Sequence, residues 1–151
     1  MTRTDVAVSI FSGGLSCSQA VLVAFCDVYN VDKQIALRLS AGFGGGVKVG
    51  EICGAVSGAI MVVGLRYGQV DGEDKEARRV SDERVREFLQ LFRKRNGHIT
   101  CRDLLREMAD MGSDADRKQQ FKAQRCTELV RDAAEILEQL QYGTLTHPLH
   151  S

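Results

Sequence analysis

The sequence contains no tryptophan, a single proline and few alternating runs of β-branched residues. Their scarcity argues against a mainly β fold and predicts helices almost throughout. The chain also has no excess charge of either sign: 20 Lys and Arg residues balance 20 Asp and Glu residues, so the formal net charge is zero. Without a positive field, binding to nucleic acid is not expected.

Targeting and membrane signals are absent from the sequence as well. Residues 1–5 lack the charged-then-apolar pattern of a secretory signal, and no apolar stretch approaches the length of a membrane span. We therefore expect a cytoplasmic protein without a transmembrane segment. The 151 residues are 44% hydrophobic, enough for one core. We expect one all-α domain over residues 1–143, a bundle of about six or seven helices, and a tail over 144–151 with His147 and His150.

The cysteines, Cys17, Cys26, Cys53, Cys101 and Cys126, include no Cys-x-x-Cys pair. This absence excludes a local thioredoxin-type motif and a zinc ribbon, so any cysteine site must be assembled by the fold. In a reducing compartment, dispersed cysteines indicate redox or metal chemistry before permanent disulfides. The alternative is that some are small buried residues, as free cysteine often is.

Capping and turn residues divide the chain into helices. The first is expected to be capped by Thr4 or Asp5 and to end at Phe11, and Ser16 is expected to cap the second. The later helices are expected after Asp32, from Gly50 to about Tyr67, from Asp74 to Arg95, from Cys101 to Met108 with Thr100 as cap, and from Ser113 to about Tyr142.

These boundaries place Cys17, Cys53 and Cys101 in the first turns of separate helices. The helix macrodipole lowers the pKa of a thiol there, and the thiolate is the form that attacks disulfides or binds metals. Cys126 shares the apolar face of the last helix and is expected to point inward, whereas Cys26 falls off the apolar stripe of its helix. If the helix starts converge, four of the cysteines form one site.

A cluster of glycines precedes Cys53, namely Gly44, Gly45, Gly46 and Gly50. Their bare backbone N–H groups near a helix start could hold an anionic ligand, although no Lys-Ser or Lys-Thr pair follows, so a nucleotide loop is not expected. The alternative is a tight turn. Gly50, Gly54 and Gly58 recur at every fourth position, which favours close packing against a neighbouring helix.

Four cysteine-containing blocks follow one another along the chain. They are Leu15-Ser16-Cys17-Ser18-Gln19-Ala20-Val21, Gly50-Glu51-Ile52-Cys53-Gly54-Ala55-Val56-Ser57-Gly58-Ala59, Cys101-Arg102-Asp103-Leu104-Leu105 and Cys126-Thr127-Glu128-Leu129-Val130. Together they resemble the C-GCAxxG-C-C family, a group of bacterial and archaeal proteins described as redox-active. The resemblance implies that Cys17, Cys53, Cys101 and Cys126 are the family's four cysteines and that Cys26 is extra. One departure is visible: the family name expects Gly-Cys-Ala, whereas the order here is Cys53-Gly54-Ala55. Cys53 aligns with the first cysteine of that element, and no second cysteine stands beside it.

Three functions fit these observations. The first is a redox enzyme or electron carrier with an unknown electron donor or acceptor, in which Cys53 is the low-pKa attacking thiolate and Cys17, Cys101 or Cys126 resolves. The second is a module that binds a metal or an iron–sulfur cluster through the same four thiolates. The third is a structural helical protein whose cysteines pack or form static disulfides, with the small-residue helix as a packing or homodimer surface.

Two further side chains have alternative interpretations. His98 is a candidate extra metal ligand or a solvated loop residue. Glu51 is either a base for Cys53 or a complement to the helix dipole.

Overall fold

The computed structural model describes residues 1–145. Within them the chain forms seven α-helices and no strand, which confirms the predicted all-α class. The helices are α1 (Arg3–Ser12), α2 (Cys17–Cys26), α3 (Lys33–Ser40), α4 (Gly54–Tyr67), α5 (Lys75–Asn96), α6 (Cys101–Leu104) and α7 (Ala115–Gln139). Most of the predicted tail, with His147 and His150, lies outside the described residues.

The first two helices begin at similar capping boxes. Ser16 starts α2 as predicted, because its side chain accepts from the Gln19 N–H while the Gln19 side chain accepts from the Ser16 N–H. The predicted cap of α1 is wrong. Thr2 takes that role in place of Thr4 or Asp5, and Asp5 completes the box from the third helical position.

The centre of the fold is α2, which packs against α1, α3, α4 and α7. Residues 20–26 are all buried. Cys26, which falls off the predicted apolar stripe, is nevertheless only 5% exposed, because a helix covered on every side has no polar face.

The second central helix, α4, begins at Gly54 and not at the predicted Gly50. Left-handed residues at 45–48 and an extended segment at 51–53 intervene before helical geometry starts. Gly54 and Gly58 then allow the close approach that the sequence predicts. A Cβ on Gly58 would lie 2.6 Å from the Ser18 carbonyl oxygen, so α2 and α4 meet backbone to backbone.

The charged helix α5 begins after the Asp74 cap, as predicted, and ends at Asn96, one residue beyond the predicted Arg95, with Gly97 in the left-handed conformation as its C-cap. Thr100 caps α6 as predicted, but this helix ends at Leu104 and not at Met108. Leu105 leaves helical geometry at φ −107° and ψ 17°, and the chain continues as a 3₁₀ turn.

The last helix, α7, is capped by Asp114, whose side chain accepts from the Arg117 N–H, and not by Ser113. It ends at Gln139, before the predicted Tyr142, because Gln141 adopts a positive φ of 68°. None of the helices in residues 1–145 combines the length and apolar character needed to cross a membrane.

Candidate functional site

The glycine-rich segment folds into a left-handed turn. Gly45, Gly46, Val47 and Lys48 have φ values of 69°, 63°, 57° and 66°. Gly46 is required there, because a Cβ would overlap the Glu51 backbone, whose N–H donates to the Gly46 carbonyl at 3.0 Å. For Val47 and Lys48 the same conformation is strained, by roughly 1–2 kcal/mol each.

Immediately after this turn, residues 51–53 pair with residues 99–101. The Cys53 N–H donates to the Ile99 carbonyl at 2.8 Å, and the Cys101 N–H donates to the Glu51 carbonyl at 2.6 Å. Ile52 and Thr100 form the antiparallel bridge between these bonds. This pairing brings the starts of α4 and α6 together, with Cys53 as the N-cap of α4 and Cys101 as the first residue of α6.

Cys17 reaches the same place from α2, where it is the first helical residue. A Cβ on Gly54 would overlap the Cys17 Sγ, so the sulfur rests against the first residue of α4. Gly44 brings the glycine loop over this contact, since a Cβ on Gly44 would lie 2.9 Å from the Ser16 Cβ. The absence of side chains at Gly44 and Gly54 thus lets three segments meet at Cys17.

A cavity of about 490 Å³ opens at this meeting point. Four cysteines line it, namely Cys17, Cys53, Cys101 and, from α7, Cys126. Of the predicted ligand-loop glycines, Gly44 and Gly45 line the cavity, whereas buried Gly46 supports the turn and Gly50 faces a separate depression beside Arg102. Cys26 does not line it.

The remaining walls of the cavity combine apolar and cationic side chains. The apolar ones include Phe11, Leu105, Ala123 and Leu129. The charged ones are Lys48 and Lys122, and no carboxylate of residues 1–145 joins them. The cavity is therefore a partly apolar space with positive charge at its wall.

Sequence reasoning missed both lysines. A signal for Lys122 exists, because Gln119, Lys122, Ala123 and Cys126 lie at spacings of three and four residues and so share one face of α7. No comparable signal exists for Lys48, whose direction depends on the left-handed turn.

The prediction that Cys53 is a low-pKa thiolate is wrong. Burial, and then the neighbouring Cys17, raise the pKa of Cys53 to about 12, and the nearby Val56 and Ala55 N–H groups lower it too little to compensate. Cys53 is 4% exposed, and its desolvation therefore outweighs the effect of the helix macrodipole on its pKa.

Two other cavity thiols also resist ionisation. Burial raises the pKa of Cys126 to about 11, with additional contributions from the Cys17 and Cys101 charges. Burial and then the Cys17 charge raise the pKa of Cys101. Cys17 thus lies close enough to each of the other three thiols to raise its pKa.

All five cysteines carry free thiols. Within residues 1–145 no three or more His, Cys, Asp or Glu side chains are arranged to hold a metal ion. His98 lines a different pocket and lies 3.9 Å from Asp103, and Glu51 is exposed and pairs with Arg102 at 3.4 Å. Neither side chain lines the cysteine cavity.

The fold and the site define an all-α protein with four free thiols from four helix segments around one cavity. A family model described as "Putative redox-active protein (C_GCAxxG_C_C)" matches residues 15–140, and the chain belongs to this family. It has no match among the curated proteins or the solved structures that were compared.

Proposed function

We propose that this protein carries out thiol–disulfide exchange in the four-cysteine cavity, with Cys17 as the thiol that reacts with the partner and Cys53 as the thiol that resolves. The observation that carries the proposal is the position of Cys17, whose sulfur rests against Gly54 at the start of α4 and which lines one cavity with Cys53, Cys101 and Cys126. This assignment reverses the predicted order, in which Cys53 attacks.

Exposure supports these roles. Cys17 is partly exposed at the start of a ten-residue helix, so a partner can reach its sulfur from the cavity. Cys53 is buried directly beside it, because the Cys17 sulfur rests against Gly54. A buried thiol is shielded from the partner and keeps its proton until the first displacement releases a thiolate that can accept it.

The exchange proceeds in two displacements. The Cys17 thiolate attacks one sulfur of a partner disulfide; a mixed disulfide forms, the partner's S–S bond breaks, and its other sulfur leaves as a thiolate. Cys53 then gives its proton to the partner thiolate released in the first displacement and attacks the Cys17 sulfur; the Cys17–Cys53 bond forms, the bond between Cys17 and the partner breaks, and the second partner sulfur leaves as a thiolate. Two electrons pass to the partner, and the two cysteine protons end on its two thiols. A dithiol reductant reverses these steps, which suits a reducing compartment such as the cytoplasm.

Free-thiol counting with peptide mapping tests the proposal. The reduced protein is treated with bis(hydroxyethyl) disulfide at neutral pH, quenched with acid and alkylated after unfolding. We expect a reversible loss of two thiols and a peptide that joins Cys17 to Cys53. Cys53→Ala should stop at a mixed disulfide on Cys17, and Cys17→Ala should slow the reaction strongly.

Cys26 provides the matched control, because it is buried on the same helix as Cys17 but does not line the cavity. Cys26→Ala should lose the same two thiols at the same rate as the unchanged protein. Retention of all five thiols would contradict the proposal. So would stoichiometric iron or zinc in anaerobically purified protein with thiols protected from the disulfide, which would support the predicted metal module.

A further inference from the structure

The two lysines at the cavity wall have no role in the exchange steps. The ammonium groups of Lys48 and Lys122 form no hydrogen bond or ion pair with residues 1–145, whereas the guanidinium groups of many arginines do, including those of Arg79 and Arg95. Two uncompensated cations beside a space without carboxylates produce a local positive potential in a chain whose formal net charge is zero. That potential favours an anion in the cavity.

Lys48 is held there by strained backbone. It ends the left-handed turn at φ 66°, and its Nζ lies 3.6 Å from the position a Cβ on Gly44 would take, directly over a wall residue of the cavity. Non-glycine residues in this conformation cost free energy and concentrate at ligand-binding and active sites. The strain at Val47 and Lys48 therefore supports a role for the ammonium group at this position.

Lys122 lines the cavity from a different element, α7. It lies one turn before Cys126 on α7, and its charge lowers the pKa of both Cys101 and Cys126 against the stronger effect of burial. The two lysines thus come from segments far apart in sequence, the glycine loop and the last helix. A ligand between them would be held from two sides.

Size and wall chemistry restrict the ligand further. A volume of about 490 Å³ lies within the range of small-molecule sites, and Phe11, Leu105 and Leu129 supply apolar contact area. An inorganic anion would leave these apolar walls uncovered. A compact organic molecule with terminal negative charge would contact both the apolar side chains and the lysines.

We propose that the cavity binds a small organic disulfide carrying carboxylates or similar anionic groups, and that Lys48 and Lys122 select it by charge. This inference rests on the proposed function, since the ligand is the partner disulfide of the exchange. The disulfide supplies the two oxidising equivalents and leaves as two anionic thiols, each taking up one proton.

Three disulfides of similar size and different charge test this selectivity. They are dithiodipropionate, which is dianionic, bis(hydroxyethyl) disulfide, which is neutral, and cystamine, which is dicationic. The rate of thiol loss from the reduced protein should be highest with dithiodipropionate and lowest with cystamine, and salt should reduce the difference. Lys48→Gln and Lys122→Gln should each lower the ratio of the anionic to the neutral rate about fivefold, and Lys48→Arg should restore it.

Lys33→Gln is the control, because Lys33 is an exposed lysine at the start of α3 and does not line the cavity. Its rate ratio should equal that of the unchanged protein. Equal rates with all three disulfides, or lysine variants with unchanged ratios, would overturn the inference while leaving thiol–disulfide exchange intact. No thiol loss with any of the three would instead overturn the proposed function. Oxidation by a protein disulfide alone would assign the cavity to a protein partner and overturn the small-molecule proposal.

Discussion

The Sγ of Cys17 occupies the space that a Cβ on residue 54 would need. This relationship couples two features usually treated separately, the packing of α2 on α4 and the position of a reactive sulfur. Because the contact is made to the first residue of α4, it also fixes Cys17 next to Cys53 at the helix start. Changes at residue 54 should therefore affect both stability and thiol reactivity.

Gly54→Ala should destabilise the protein by about 1–3 kcal/mol, because the new methyl group forces Cys17 or α4 to shift. Gly64→Ala, on the same helix with nothing within 4 Å of the added Cβ, should stabilise it by about 0.5–1 kcal/mol. Urea unfolding measures both changes, and alkylation of Cys17 should become faster in Gly54→Ala alone. Similar gains of stability in both variants would show that the contact is relieved at little cost.

Val47→Gly should raise the free energy of unfolding by about 1 kcal/mol, since glycine adopts the left-handed conformation without the strain of a β-branched residue. Val49→Gly is the matched change two residues later, where the φ angle is not positive and the valine is also exposed. It should lower stability by roughly 0.5 kcal/mol. Opposite signs in thermal unfolding would support strain at Val47, and two losses would refute it.

Two tyrosines near the end of α7 should respond differently to loss of their hydroxyl groups. The Tyr29 hydroxyl donates to the buried Tyr142 carbonyl at 2.7 Å, so Tyr29→Phe should cost about 1–2 kcal/mol by leaving that carbonyl without its partner. The Tyr142 hydroxyl is itself buried without a hydrogen bond to residues 1–145. Tyr142→Phe should be neutral or stabilising in urea unfolding, and an equal loss in both variants would contradict this difference.

The reduced protein should lose stability in alkali. Below about pH 9 Cys53 is protonated in both the folded and the unfolded chain, whereas above it the unfolded thiol ionises and the buried one, with a pKa of about 12, keeps its proton. Stability therefore falls as pH rises from about 9 towards 12, by up to about 1.4 kcal/mol per pH unit for this one proton.

Cys53→Ala isolates that contribution. Its stability under anaerobic, reducing conditions should decline less steeply than that of the unchanged protein over the same pH range. Cys17→Ala, which leaves the burial of Cys53 in place, should keep most of the steep decline. Parallel pH profiles for the unchanged protein and Cys53→Ala would mean that the Cys53 pKa is not raised.

Much of the helical framework could be predicted from local signals, because a cap and its helix are neighbours in sequence. Ser16, Asp32, Asp74 and Thr100 cap the helices they were expected to cap. The errors at Thr2 and Asp114 are choices among capping residues within three positions of one another, which similar side chains make hard to distinguish.

The geometry around the cysteines was less accessible to sequence reasoning. The backbone hydrogen bond between Cys53 and Ile99 joins segments that are distant in sequence, and no local sequence pattern predicts it. The left-handed conformation of Val47 is one that a β-branched residue ordinarily avoids. The pKa of Cys53 depends on tertiary burial, whereas the macrodipole argument uses the helix start alone.

The four cavity thiols come from α2, the start of α4, α6 and α7, which together extend along most of the chain. Any S–S bond among them would close a long loop and restrict the unfolded chain, an effect worth about 3 kcal/mol or more. Oxidation at the cavity would therefore also raise the free energy of unfolding of the whole chain. The oxidised protein would then resist proteases that cleave the unfolded chain better than the reduced protein does, and its lifetime would be longer.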